Sequence, residues 1–505
     1  MTEPTAAGQV AMDSESAQPI SPKPGAKNQI SIWTKLAYGF GSVAYGVKDA
    51  GFNYFLLLFY AQVIGLDARL VSAAILIALV ADAISDPVVG YWSDNFRSRW
   101  GRRHPFMYAA AIPVTISYFF LWNPPEGWSS QALFWYVVSL AILIRTFITF
   151  YETPSTALAP ELSQDYDERS SLLSFRYFFG WTGGNMMTVI SFAILFPLFV
   201  TDVYTNGQFN PEAYSAYGLI ASLLIFAGIM VSSLGTHSHI PHLRKPPAKR
   251  KMTIRLIFRE IFETLSSRSF LALFIAALLG YIATGLAAGL TFYFSTYYWG
   301  FSPQQIGAMT LGIFLSAMIG ALMAPVVTRK FGKKRGAITI GLIAFLGSPM
   351  PILLRLLDVL PGNESPFIFW FVLIANTIDV GLIICYQILA ASMIADLVEQ
   401  AELKTGRRSE GVFFSAATFM RKCGVGVGIV VAGFVLTGVG LATGAQQGEV
   451  SDGTLWRLGA TYVPAILFLW MTMIAVISFY RLDRTEHESN LRQLAERQAA
   501  QTASE

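Results

Sequence analysis

Charge is scarce in this chain. Acidic and basic side chains make up only 13% of its 505 residues, about half the share usual in a soluble domain. Hydrophobic residues make up 54%, so a water-soluble fold of this size could not solvate its own surface. Cysteine is nearly missing as well. Cys385 and Cys423 stand singly in apolar stretches, which leaves no disulfide framework and no metal cluster in prospect. There is no His-Glu-x-x-His pattern and no clear nucleophile elbow, so an intramembrane enzyme would lack its working parts. Residues 1–30 are rich in Ser, Pro, Ala and Gln and have no apolar core; they read as a disordered cytoplasmic tail and not as a signal peptide.

Long apolar runs are what the chain has instead. At about 20 residues per bilayer crossing, twelve spans fit: 36–62, 69–92, 105–123, 131–156, 172–200, 215–235, 269–298, 304–328, 336–356, 366–396, 411–440 and 457–480. Bases gather in alternate loops, with Arg97, Arg99, Arg102 and Arg103 in one and Arg329, Lys330, Lys333, Lys334 and Arg335 in another, whereas 123–131 and 201–216 hold none. The positive-inside rule makes the basic loops cytoplasmic, and both termini with them. The shortness of those loops argues against a nucleic-acid partner. The loop 236–268 divides the chain into bundles at 31–235 and 269–480, followed by a cytoplasmic tail, 481–505. Within it, Ile254, Ile257, Phe258, Ile261, Phe262 and Leu265 share one helical face, as in a helix lying on the inner membrane surface.

Ionisable residues inside apolar spans are costly and mark solute or ion pathways. Asp82 and Asp86 lie four residues apart on one face of the second span, beside Ser85. Such a pair is either a receptor for a proton or sodium ion or is neutralised by bases on neighbouring helices. Arg145, Thr149 and Glu152 share a face of the fourth span; Arg145 either joins this group or makes a local salt bridge to Glu152. Lys48, Asp49, Arg176, Asp379, Arg421 and Lys422 complete the set. Counting the deepest gives five acids (Asp49, Asp82, Asp86, Glu152, Asp379) and four bases (Lys48, Arg145, Arg176, Lys422), an excess that suits one bound cation. Lys422 either links ion binding to solute binding or serves as a packing salt bridge. Tyr297 to Trp299 read by position as lipid-facing, core or interfacial-belt residues and not as solute-stacking ones.

The two halves echo each other. Gly90, Asp94 and Arg97-Ser98-Arg99-Trp100-Gly101-Arg102-Arg103 answer to Arg329-Lys330-Phe331-Gly332-Lys333-Lys334-Arg335. Pro160-Glu161-Leu162 with Arg169 answers to Ala395-Asp396-Leu397 with Arg407. Repeats of this kind, related about the membrane normal, resemble the major facilitator superfamily.

Within it, Asp82-Ala83-Ile84-Ser85-Asp86-Pro87-Val88-Val89-Gly90, Lys35 to Gly41, Pro154 to Pro160 and Met393 to Gly411 together resemble the glycoside-pentoside-hexuronide:cation symporter family, of the melibiose-permease type. The resemblance implies an all-α membrane protein with twelve helices in two six-helix bundles. It also implies symport of a glycoside-like solute with Na+ or H+ and no cofactor beyond that ion. It places the cation, a metal ion if sodium, at Asp82 and Asp86 with Thr149, and Glu152 is expected to assist. The solute would meet Lys48, Asp49, Glu152, Arg176, Asp379 and Lys422. Asp94, Arg102, Arg169 and Arg407 are expected to form a cytoplasmic charge network. The working unit is expected to be a monomer in the cell membrane. Three departures stand out: Glu152 where the type has Asp, Thr156 where it has an aromatic, and Gly46 where it has the first-helix acid, with Lys48 and Asp49 lying further on. A lysolipid or another amphipathic anion is the rival cargo.

Overall fold

In the computed structural model, residues 30–163, 165–242, 268–405 and 410–478 are described, and their regular structure is all helical. The first apolar element, α1, runs over 32–63 and is broken into short α and π turns. Eleven further elements are long and apolar enough to span a bilayer. They are α2 (Ala68–Asn95), α3 (His104–Leu121), α4 (Ser130–Leu162), α5 (166–198), α6 (Pro211–His237), α7 (268–298), α8 (Pro303–Phe331), α9 (Lys333–Leu356), α10 (Pro366–Thr405), α11 (Glu410–Gly438) and α12 (Asp452–Ser478). The amphipathic stretch 253–265, both tails and Arg407 lie outside the described residues.

Local chemistry sets several helix starts. Asp67 accepts the Arg69 amide at the head of α2, and Asn210, with Pro211 behind it, accepts that of Glu212 at the head of α6. Ser302 and Gln305 exchange bonds in a capping box at α8, again with Pro next. Each device satisfies amides that the first helical turn leaves without partners. Bilayer lipid solvates much of the rest: Leu223, Leu322 and Phe468 stay 56–69% exposed, which only an apolar solvent tolerates.

The two halves repeat one packing plan. Helix α1 packs on α5 and α6, α4 on α2 and α3; correspondingly α7 packs on α11 and α12, α10 on α8 and α9. Backbone meets backbone along two of these seams. A Cβ on Gly46 would lie 2.0 Å from the Gly180 carbonyl oxygen, and one on Gly285 2.0 Å from that of Val425.

Between the halves, α2 meets α11, α5 meets α8 and α1 meets α7. The termini-bearing end of the bundle is called the near side below, and the opposite end the far side. The Gly444 amide donates to the Ala61 carbonyl at 3.1 Å, Asn206 donates to Gln447 at 2.7 Å, and Phe292 packs between Phe55 and Phe192. These contacts close the far side. Tyr297, Tyr298 and Trp299 belong to this closure and are only 4–5% exposed. They are therefore not a lipid-facing belt: Tyr297 donates to the Ala445 carbonyl and Tyr298 to that of Ile352. Among the described residues, the hydrogen bonds between halves lie from mid-depth to the far side, and near-side Tyr177 is 74% exposed.

Candidate transport site

Asp82 and Asp86 sit one turn apart on α2, turned toward α4 and α11 at mid-depth. Lys422 of α11 places its ammonium between them, 2.6 Å from Asp86 Oδ2 and 3.1 Å from Asp82 Oδ2. From α4, Arg145 donates to Asp82 Oδ2 at 3.2 Å while its guanidinium lies over the Phe52 ring. The local Arg145 to Glu152 bridge considered from the sequence is thus not what forms, because the packing of α2 on α4 brings a carboxylate across from another helix.

Thr149 Oγ1 lies 3.1 Å from Asp82 Oδ1, 2.9 Å from Asp86 Oδ1 and 2.9 Å from the Arg145 carbonyl. A hydroxyl has one hydrogen and can donate to one of the three at a time. Four oxygens therefore converge on one proton, with Lys422 and Arg145 supplying the remaining positive charge. An entering small cation would meet ready ligands there: two carboxylates and a neutral hydroxyl.

A cavity opens beside this cluster, between the halves, with Lys48, Asp49, Asn53, Glu152, Arg421 and Lys422 around it. It holds about 40 Å³, room for a few waters. Lys48 is buried and paired to Asp49 at 2.5 Å. Arg421 was absent from the expected site; its only signal in the sequence is its place beside Lys422 in an apolar span.

Arg176 lies buried on the near side of the cavity. It donates to Ser155 at 3.0 Å, to Tyr38 at 3.4 Å, to the Glu152 carbonyl at 3.4 Å and to Thr156 at 2.5 Å, and it faces the Tyr45 ring. Thr156, standing where an aromatic was expected, thus holds an arginine and offers no stacking surface.

Asp379 does not join the site. It is buried in the second half, with Gly347 of α9 and Tyr462 of α12 for neighbours, and does not line the cavity. The charge count changes with it. Asp49, Asp82, Asp86 and Glu152 now face Lys48, Arg145, Arg176, Arg421 and Lys422, reversing the expected acidic excess.

At the near side, Arg102 donates to Glu161 at 2.6 Å. Arg103 bridges Glu161 at 3.1 Å and Asp94 at 2.6 Å. Glu161 and Arg103 are thus the centre of the network expected around Asp94 and Arg102. Arg169 is exposed on α5, and nearby Lys35 pairs with Glu168 at 3.4 Å, tying α1 to α5.

The sequence model of the family described as "MFS/sugar transport protein" matches residues 37–484. The chain belongs to that family. It is 26% identical to an uncharacterized symporter of Synechocystis sp., over 93% of this chain and 98% of the relative. It is 25% identical to the putative glycoside/cation symporter YagG of Escherichia coli, over 94% and 97%. The crystal structure of nucleoside transporter NupG superposes with a TM-score of 0.56 at 15% identity, covering 88% of this chain and 99% of that one, which shows the major facilitator fold. The protein is therefore a multi-pass membrane transporter of this superfamily, and its two six-helix halves are the superfamily's repeats.

Proposed function

We propose that this transporter couples a Na+ or H+ gradient to uptake of a sugar-like solute by alternating access, as a single chain in the cell membrane with both termini in the cytoplasm. The observation that carries the reading is the Lys422 ammonium held between Asp82 and Asp86. A coupling cation that takes this place, ligated by both carboxylates and Thr149, frees Lys422 to turn toward the cavity. There it joins Arg421, Asp49 and Glu152 as donors and acceptors for solute hydroxyls. Linkage then makes each ligand raise the affinity of the other by the same factor.

Basic loops at the near side support a cytoplasmic assignment, which makes the far-side closure the inward-facing state of a rocking cycle. Five bases against four acids favour a solute that brings an acidic group of its own, as a uronide does. No chemical step and no cofactor beyond the coupling ion is required.

Uptake into reconstituted vesicles tests the reading, with neutral glycosides, uronides and lysolipids assayed in sodium and sodium-free buffer at two pH values. Gradient-driven accumulation of a sugar or uronide is expected, and Asp82→Asn or Asp86→Asn abolishes it at equal protein density. Arg421→Gln is expected to weaken uronide uptake more than neutral glycoside uptake. Transport of every solute without sodium or pH dependence would sink the symport assignment, and transfer of lysolipid alone would sink the sugar assignment.

A further inference from the structure

The second half holds a carboxyl group that the transport site does not use. Asp379, at mid-depth in α10, is 8% exposed, and its Oδ1 has no hydrogen-bond partner. Among the described residues no base forms an ion pair with it. The groups facing it are neutral. From α9 come Ser348, the hydroxyl beside the carboxyl, and Gly347, where an added Cβ would lie 3.5 Å from Oδ1. From α12 comes the Tyr462 phenol. On the α8 side, Ser316 is spent on the Thr377 carbonyl at 2.7 Å. The bases along these helices engage other groups: Arg355 the carbonyls of Leu360 and Pro361, and Arg457 the Thr454 hydroxyl.

The backbone of α9 is interrupted at this level. Its regular helix ends at Gly347 and restarts at Met350, with Pro349 and Pro351 at the break. Proline has no amide hydrogen, so the carbonyls of Phe345 and Gly347, four residues before each, lose their regular donors. Asp379 Oδ1 lies beside Gly347, one of the two residues whose carbonyl loses its regular donor at this break. An ionised carboxylate buried there would carry an unpaired charge beside carbonyl lone pairs, which is strongly unfavourable. A protonated one has an O–H to donate to such a carbonyl and an oxygen left to accept from Ser348. One acceptor is enough to hold that proton.

We infer that Asp379, with Ser348 and the broken turn of α9, forms a proton-binding site in the second half, separate from the Asp82–Asp86 cluster. The inference does not depend on the coupling assigned to that cluster, and its test reads the carboxyl directly. Infrared difference spectroscopy on the reconstituted protein resolves the carbonyl stretch of a protonated carboxyl from that of a carboxylate. At neutral pH the band is expected in the wild type and in the Asp82→Asn, Asp86→Asn double variant, and lost in Asp379→Asn, with no response to sodium. If wild type and Asp379→Asn show the same protonated-carboxyl signal, the inference is overturned. A band that disappears when sodium is added overturns it too, since the site would then take the metal ion. Should Asp379→Asn fail to fold, Ser348→Ala keeps the carboxyl and removes its neighbouring hydroxyl. The band is then expected to shift in frequency, and an unmoved band counts against the site.

Discussion

Lys422→Ala removes a cation from between two carboxylates and gives the sharpest test of the transport site. The Lys422 side chain is 14% exposed, that of Asp82 2% and that of Asp86 30%. Breaking a buried pair by removing one partner costs about 3–5 kcal/mol, because the other charge is left uncompensated. Asp82 keeps Arg145 and Asp86 reaches some water, so the lower end, about 3 kcal/mol, is expected in sodium-free buffer. An external cation can then fill the gap. At a hundred times its dissociation constant a bound ion returns about 2.7 kcal/mol, nearly all of the loss. Sodium should therefore stabilise Lys422→Ala more than the wild type, in which the ion must first displace an ammonium. Thermal unfolding in lipid or detergent, titrated with sodium and with choline as the inert control, reads both quantities. If the variant unfolds like the wild type in choline, or gains no more from sodium, then Lys422 does not occupy the cation position.

Other outcomes follow from single features. Thr149→Val deletes a hydroxyl hydrogen-bonded to charged groups, worth about 1.5–3 kcal/mol, so cation affinity measured by calorimetry should fall about tenfold or more; Thr149→Ser should keep it within a few-fold. A Cβ on Gly433 would lie 2.0 Å from Ser72 Oγ in the far-side seam. Gly433→Val is therefore expected to part that seam and raise labelling of a Leu57→Cys probe by an impermeant thiol reagent, in a background lacking Cys385 and Cys423. The Arg69 side chain, hydrogen-bonded to Asp67 at the head of α2, holds that carboxyl below the usual carboxylate range. Its contribution is present above the ordinary carboxylate value and lost as pH falls through the lowered one. Asp67→Ala should cost about 1 kcal/mol of stability at neutral pH, with the difference vanishing in strong acid.

Much of the site was legible because its signals are local. Charges inside apolar runs, and two acids four residues apart, are visible without knowing which helix meets which, and Asp82, Asp86, Thr149 and Lys422 do come together in the structure. What depended on helix rotation was not visible. Arg145 faces α2 and not its own neighbour Glu152, Arg421 turns into the cavity beside Lys422, and Asp379 turns away from it. Each of these is decided by a few tens of degrees about a helix axis, which an apolar span with little periodic contrast does not encode. The aromatic run Tyr297 to Trp299 stayed open between lipid, core and interface for a related reason: position along the membrane normal is readable from sequence, whereas facing lipid or facing the other half is not. Arg103 and Glu161 were each in view in their loops, yet their pairing is a contact between distant segments.

The backbone seams at Gly46 with Gly180 and at Gly285 with Val425 leave no room for a single added methyl group. Helices joined that closely move as one body, so the parting and closing of the two halves has to be absorbed elsewhere, in the side-chain contacts of α2 with α11 and of α5 with α8. The same division bears on how such a transporter can change cargo. Residues around the cavity are free to be exchanged one at a time, because the seams behind them hold the frame. A substitution at a seam glycine has no such freedom and would disturb every solute alike. Variation in specificity among proteins of this build should therefore collect on the cavity faces of α1, α2, α4 and α11, with the seams as its fixed borders.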